Sequence, residues 1–252
     1  MTEKCAVFGV YGKGLDAARL TYFGLYSLQH RGQESSGIAA SDGNRINLHK
    51  AMGLVAQVYN EHDFDKLSGN IAIGHNRYAT FGGSTDDHIQ PIADRDMTVV
   101  LAHNGNFPSV EKLRKFFVSK DISVTGLNDS EMMQKVICYL LSQGMTLEKA
   151  ITKAYPLFTG AFCLLVMTKD KIAAIRDPFG IRPLSIGKLN HTGYVISSET
   201  CALDTVNATY LRDVLPGEMV VVDKKGLHSY QLAKPNLKMD IFEFVYFARP
   251  DS

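Results

Sequence analysis

The chain has 252 residues, 45% of them hydrophobic, and its 27 basic and 26 acidic side chains leave a formal net charge of +1. That balance is ordinary for a globular protein and gives no electrostatic footprint for nucleic acid or an anionic membrane surface. No apolar run approaches the roughly 20 residues that span a bilayer, and nothing ahead of Cys5 could form a signal-peptide core, which also argues against a lipidated cysteine; a cytoplasmic location is expected.

Lys4-Cys5-Ala6-Val7-Phe8-Gly9-Val10-Tyr11 opens the chain as an apolar strand. Leu15–Gln29 carries apolar residues near helical spacing with Gly32 as a stop, so a helix packed on a sheet is expected. A polar loop, Gln29–Ser35, leads into a strand at Gly37-Ile38-Ala39-Ala40, then the hairpin signal Asp42-Gly43-Asn44 and a return strand from Ile46. Ile71-Ala72-Ile73-Gly74 runs into His75-Asn76-Arg77, and Val99-Val100-Leu101-Ala102 into His103-Asn104-Gly105-Asn106. Both are buried-strand patterns that end in polar clusters, the places where a rigid sheet displays functional groups.

Helices are expected at Val110–Lys120, Ser130–Ser142 and Leu147–Ala154, the second opening with Asn128-Asp129-Ser130-Glu131. A hairpin follows, Gly160–Thr168 with Lys171–Arg176, then the turn Asp177–Pro183 and strands at Tyr194–Ser198, Met219–Asp223, Leu227–Gln231 and Ile241–Phe247. Short strands joined by hairpins, with helices in blocks, predict an antiparallel α+β layer fold. The four cysteines, Cys5, Cys138, Cys163 and Cys201, are widely spaced, and the last three read as core thiols in a reducing compartment. The eight histidines show no metal-ligand spacing, so no zinc site is expected.

Cys5 is the residue with most chemical content. If Met1–Lys4 are removed, one residue carries both a thiol and a free α-amine, whose reference pKa of about 7.7–8 suits a general base at neutral pH. The alternative is that Cys5 is a small core hydrophobe. A thiolate attacking an amide needs donors aimed at the developing oxyanion; Asn104 supplies a side-chain amide and Gly105 a backbone N–H, although Asn-Gly is also a common turn. An amino-acid substrate presents a carboxylate and an ammonium. Arg77 can clamp the first with its fork and Asp129 can accept from the second, against the alternatives of a surface ion pair and a helix cap.

Cys5–Val10, Ser27–Ser35, His75–Thr80, Leu101–Asn106, Asp177–Leu184, Ser198-Glu199-Thr200 and Glu243–Ser252 together resemble the N-terminal glutaminase domain of the glutamine phosphoribosylpyrophosphate amidotransferases. These form the purine-pathway branch of the class II, N-terminal-nucleophile amidotransferases, and the likeness covers essentially the whole chain in order. It implies two stacked antiparallel sheets flanked by helices, the N-terminal-nucleophile hydrolase sandwich. It also implies a propeptide at residues 1–4 and an amidotransferase domain at 5–252, with residues after about 240 starting the passage to a phosphoribosyltransferase domain. Cys5 would be the nucleophile, Asn104 and Gly105 the oxyanion hole, Arg77 and Asp129 the glutamine-binding charges, Gly32 part of the pocket, and Tyr78 and Thr80 its border.

Two departures stand out: Ala6 replaces the glycine usual after the nucleophile, and Asn128-Asp129-Ser130-Glu131 replaces Ser-Asp-Thr-Glu. Lys238-Met239-Asp240 stands where some members carry an iron–sulfur ligand, so no cluster is expected. No phosphoribosyl-binding motif is present, and Asp86-Asp87 lies in a polar loop; Mg2+ is expected only with the transferase domain. Glutamine and a phosphoribosyltransferase domain are the implied partners, with homo-oligomerisation at full length. The chain stops soon after an apolar run, as expected of a fragment of a longer protein. A class II amidotransferase half serving another acceptor, and a non-catalytic glutamine- or partner-binding module with an unprocessed N-terminus, are the rival functions.

Overall fold

The computed structural model describes residues 5–78, 88–189 and 193–252. Met1–Lys4, Thr80, Asp86 and Asp87 lie outside the described residues. Strand β1 (Ala6–Tyr11) is buried on both faces, which explains why its sequence is apolar without alternation. Val7 faces the core between two sheets, while Phe8 and Val10 face a helical layer.

The first sheet is built around β1. It adds β2 (Ser35–Ser41), β3 (Ile46–Met52), β4 (Ile71–Arg77), β9 (Ser185–Leu189), β10 (Gly193–Ser197) and β11 (Thr209–Asp213) in the order β11-β9-β10-β1-β4-β2-β3. The second contains β5 (Ile92–Ala93), β6 (Val100–Asn106), β7 (Ala161–Met167), β8 (Ile172–Arg176), β12 (Glu218–Asp223) and β13 (Gly226–Gln231) in the order β13-β12-β8-β7-β6-β5. The recorded strand pairings are all antiparallel.

Three apolar layers hold the stack. Val7, Ala39 and Ile73 of the first sheet meet Ala102, Leu165 and Val220 of the second. Outside the first sheet, Phe8 and Ile38 pack with Leu25 and Leu28 of helix α1 (Ala17–Ser27) and its extension. Short helices α2 (Val55–Val58) and α3 (Glu61–Lys66) lie on the same side. Outside the second sheet, Leu101 and Leu164 pack with α4 (Glu111–Val118), α5 (Asp129–Ser142) and α6 (Leu147–Ala154). The chain is thus the expected α+β sandwich of two stacked antiparallel sheets flanked by helices. Among the described residues no helix is long and apolar enough to cross a membrane.

The expected strand at Ile241–Phe247 is instead a helical turn, with a π-helical segment at Glu243–Phe247 closed by Ala248 N donating to Glu243 O at 3.0 Å. A short apolar run does not distinguish strand from helix, and here tertiary contacts decide, because Glu243 is drawn inward to two arginines while Phe242, Val245 and Tyr246 face out. Cys163 and Cys201 are buried thiols, but Cys138 is only half-buried; burial still pushes its thiol up to about 12. Strands β9 and β11 and helices α2, α3 and α7 (Cys201–Thr205) carry no clear periodic signal, being short, and β11 is an exposed polar edge.

Candidate active site

Strand alternation places the candidate residues at one end of the space between the sheets. Cys5 immediately precedes β1, in which Val7 lies in the intersheet core. The register Val7↔His75 and Ala6↔Asn76, continued one step, sets Cys5 beside Arg77. His75 Nε2 reaches His103 O across the sheets at 3.0 Å, so His75, and with it Arg77 two residues on, points toward the second sheet. On β6, Val100 and Ala102 face the same core, which puts Asn104 on that face too, whereas His103 turns outward to Ser130 Oγ at 2.9 Å. Ser35, paired with Arg77 and on the face of Ala39, completes the ring. Arg77, Asn104 and Ser35 therefore face the same end of the intersheet space, and Cys5, one residue ahead of the Ala6↔Asn76 pair, lies at that end of the sheet, although their positions in the chain are far apart.

The polar groups there share one property. Arg77 Nη1, Glu34 Oε2, Ser35 Oγ and both polar atoms of Asn104 are buried without a hydrogen-bond partner among the described residues. Arg77 Nη1 comes only to 3.9 Å from Glu34 Oε1, beyond hydrogen-bond reach. Leaving a buried polar group unpaired costs about 1–3 kcal/mol, so so many in one place signals donors and acceptors held ready for a ligand.

Gly105 lies next to Asn104 with φ +151, and a Cβ there would come within 2.3 Å of Ala161 O. Only glycine fits, and its N–H stands beside the Asn104 amide at the end of β6. Gly32 is tied down differently: a Cβ would meet the Asn76 carbonyl at 2.7 Å and Arg77 C at 2.8 Å, so its backbone lies flat against the end of β4. Tyr78 follows Arg77 and is 38% exposed, at the rim.

Asp129 is the first helical residue of α5, not its cap. Asn128 caps, accepting from Glu131 N at 2.9 Å while Glu131 Oε2 accepts from Asn128 N at 2.8 Å. The Asp129 carboxylate is left to accept from Phe107 N at 3.3 Å and Ser130 N at 2.7 Å, which fixes it beside the end of β6. Behind it, burial holds His75 down to about 3 and lowers His103, so both imidazoles stay neutral at pH 7 and add no cation to compete for Asp129.

Cys5 is buried, 6% exposed, and precedes the β1 ladder. Its carbonyl accepts from Arg31 Nε at 3.1 Å. Arg31 in turn donates to Glu199 Oε1 at 2.5 Å and to Glu243 Oε1, and Arg182 Nη1 donates to Glu243 Oε2 at 2.8 Å. Burial opposes the Arg31 charge, but Glu243 and Glu199 outweigh it and raise its pKa. Burial likewise opposes the Glu199 charge, yet His30, Arg31 and Ser252 hold its carboxyl down at about 2. Sequence reasoning quoted Arg31, Glu34 and Ser35 within a motif but gave them no part; nothing in their spacing signals that strand register would carry them to the cysteine.

Independent comparisons point the same way. A family model described as a glutamine amidotransferase domain matches residues 75–205. The chain is 45% identical over 256 residues to an amidophosphoribosyltransferase from Synechococcus elongatus, covering 99% of this chain and 52% of that protein. It superposes on a solved structure described as the allosteric regulatory enzyme of purine biosynthesis with a TM-score of 0.90 at 39% identity, covering 98% of this chain and 53% of the other. The glutamine phosphoribosylpyrophosphate amidotransferase of Bacillus subtilis, solved with ADP and GMP, gives a TM-score of 0.88 at 38% identity, with 98% and 53% coverage. The chain thus spans about half the length of the relatives it matches. Because the family model takes in a little over half of its residues, the chain belongs to the glutamine amidotransferase domain family.

Proposed function

We propose that this domain hydrolyses the side-chain amide of glutamine with Cys5 as nucleophile and that it forms the glutaminase half of an amidophosphoribosyltransferase. The observation that supports the reading is the set of unpartnered polar atoms of Arg77 and Asn104 at the end of the intersheet space where Cys5 leads into β1. Residues 1–4 are taken to be removed, which frees the α-amine of Cys5.

In the proposed reaction the Cys5 amine accepts the thiol proton and the sulfur attacks the amide carbon. As the C–S bond forms, the carbonyl π pair moves to oxygen, where Asn104 Nδ2–H and Gly105 N–H donate; one such donor typically accounts for about 2.7–4 kcal/mol of barrier. Collapse expels the amide nitrogen, which takes the proton from the Cys5 ammonium and leaves as ammonia. Water, deprotonated by the same amine, then adds to the γ-glutamyl thioester and releases glutamate and the thiol. Arg77 clamps the α-carboxylate and Asp129 accepts from the α-ammonium, using lone pairs beyond those already engaged. Gly32 lines the pocket, with Tyr78 at its border.

This chemistry calls on a thiol and an amine and on no metal or cofactor. In the whole protein the ammonia would pass to a phosphoribosyltransferase domain beyond residue 252, where Mg2+ would act, making phosphoribosylamine for purine synthesis; that assignment rests on the named relatives. A reducing cytoplasm suits four cysteines of which none is in a disulfide, and homo-oligomerisation is proposed for the full-length protein. Glutamate release measured with Cys5→Ala tests the nucleophile: the expected result is loss to background, and undiminished hydrolysis would refute it.

A further inference from the structure

Beyond the two sheets, residues 240–252 form an arm that is tied to the body by hydrogen bonds rather than by strand pairing. Asn236 N donates to Pro178 O at 2.8 Å and Lys238 N to Phe179 O at 2.9 Å, which fixes the start of the arm. Its helical turn then sends Glu243, 2% exposed, into the interior, whereas Ile241, Phe242, Val245 and Tyr246 face solvent. A carboxylate buried from an otherwise exposed apolar turn needs a reason, and its partners supply one.

Glu243 takes Arg31 on one oxygen and Arg182 on the other. The arm also reaches Glu199, through Arg249 N at 3.1 Å and Ser252 Oγ at 2.7 Å. Arg31 is fully buried, and its planar fork is divided among Cys5 O, Glu199 and Glu243. A guanidinium is rigid, so once two carboxylates fix its plane the direction of its Nε–H is fixed as well. That N–H holds the carbonyl of the residue that carries both the sulfur and the amine, at a point where the β1 ladder has not yet begun. Two arginines and two carboxylates balance within the cluster, so taking away the Glu243 charge leaves Arg182 without its carboxylate partner and Arg31 with Glu199 alone.

We propose that Glu243 is a positioning residue for the nucleophile: through Arg31, the seating of the 240–252 arm sets where the Cys5 sulfur and amine stand. This rests on the reading of Cys5 as nucleophile. Among the described residues the side chain of Glu243 is tied to Arg31 and Arg182, and Arg249 N and Ser252 Oγ to Glu199, rather than to Arg77 or Asp129, so loss of these ties acts on the chemical step and leaves substrate binding intact.

The test measures kcat and KM for glutamine hydrolysis, and the rate of Cys5 alkylation by iodoacetamide, in the complete protein with Glu243→Gln, Arg31→Lys and Ser252→Ala. A misplacement of about 1 Å can cost about 10²-fold in rate, so Glu243→Gln is expected to lower kcat by about tenfold or more with KM within about twofold. Arg31→Lys, which cannot serve three partners at once, is expected to do at least as much, and alkylation is expected to slow in both. Ser252→Ala removes one contact at an exposed position that does not threaten folding, and a fall in kcat of about two- to fivefold is expected, smaller because Arg249 N still holds Glu199. Wild-type kcat and alkylation rate in Ser252→Ala and Glu243→Gln would overturn the proposal, as would a rise in KM with kcat unchanged. Cys5→Ala in parallel separates the two layers: hydrolysis surviving in Cys5→Ala defeats the nucleophile itself, whereas a dead Cys5→Ala beside normal Glu243 variants defeats only the positioning role.

Discussion

Two polar clusters meet at Cys5 and differ in one respect. On one side Arg31, Glu199, Glu243 and Arg182 close on one another with short charge-assisted hydrogen bonds, and of their side-chain atoms Arg182 Nε alone is buried without a partner among the described residues. On the other, Arg77, Asn104, Ser35 and Glu34 keep buried donors and acceptors without partners among the described residues. Both are paid for by the same apolar sandwich, yet a closed cluster can only hold and an open one can only receive. On the proposed function, the difference makes the first cluster the support and the second the recognising one.

The largest expected effect breaks the closed cluster. Arg31→Met leaves Glu199 and Glu243 buried with one cation between them, and removing one partner of a buried pair typically costs about 3–5 kcal/mol. Chemical denaturation should show that loss, and a variant as stable as the wild type would mean that the network contributes nothing to the fold. Arg77→Met is the matching change in the open cluster. Arg77 Nη1 has no hydrogen bond to abandon, only the 3.9 Å ion pair to the largely buried Glu34 carboxylate, so stability should fall by less than in Arg31→Met. KM for glutamine should instead rise about 10- to 150-fold, the equivalent of about 1.5–3 kcal/mol for a hydrogen bond to a charged group. A variant that loses stability and keeps its KM would exchange the two roles.

The smallest effect is nil at neutral pH and appears only in acid. Glu199, held at about 2 in the fold against an ordinary 4.5, contributes stability above pH 4.5 that is lost as pH falls toward 2. His75 acts over a higher window: buried neutral with a folded pKa of about 3, it is outcompeted for protons by the unfolded chain once pH drops below 6.5, and His103 shifts in the same direction. Unfolding free energy should therefore decline in two stages on acidification. Glu199→Gln should flatten the lower stage and spare the upper; an unchanged lower slope would show that Glu199 does not titrate with folding.

How much of this was legible in the sequence follows from what kind of force fixes each part. The sandwich was readable because apolar runs such as Ile71–Gly74 and Phe162–Leu165 and hairpin turns such as Asp42-Gly43 state their structure locally. Cys5, Arg77, Asn104, Gly105 and Asp129 were readable as chemistry, since each residue type suits one part of an amide hydrolysis. Their convergence was not, because it depends on register: only the pairing of Ala6 with Asn76 and the His75 to His103 hydrogen bond bring them to one end. The Ile241–Phe247 segment misled for the same reason. Its apolar run suits a strand, and the deciding contact is one acid, Glu243, reaching arginines 212 and 61 positions away. Asp129 was ambiguous between cap and ligand until Asn128 was found capping the helix.

The most direct measurement is peptide mass spectrometry of the protein after treatment with an electrophilic diazoketone analogue of glutamine, with and without excess glutamine. The expected result is a single adduct on a peptide whose first residue is Cys5, diminished when glutamine is present. An adduct on another residue, or an active protein whose N-terminal peptide still carries Met1–Lys4, would contradict the central claim.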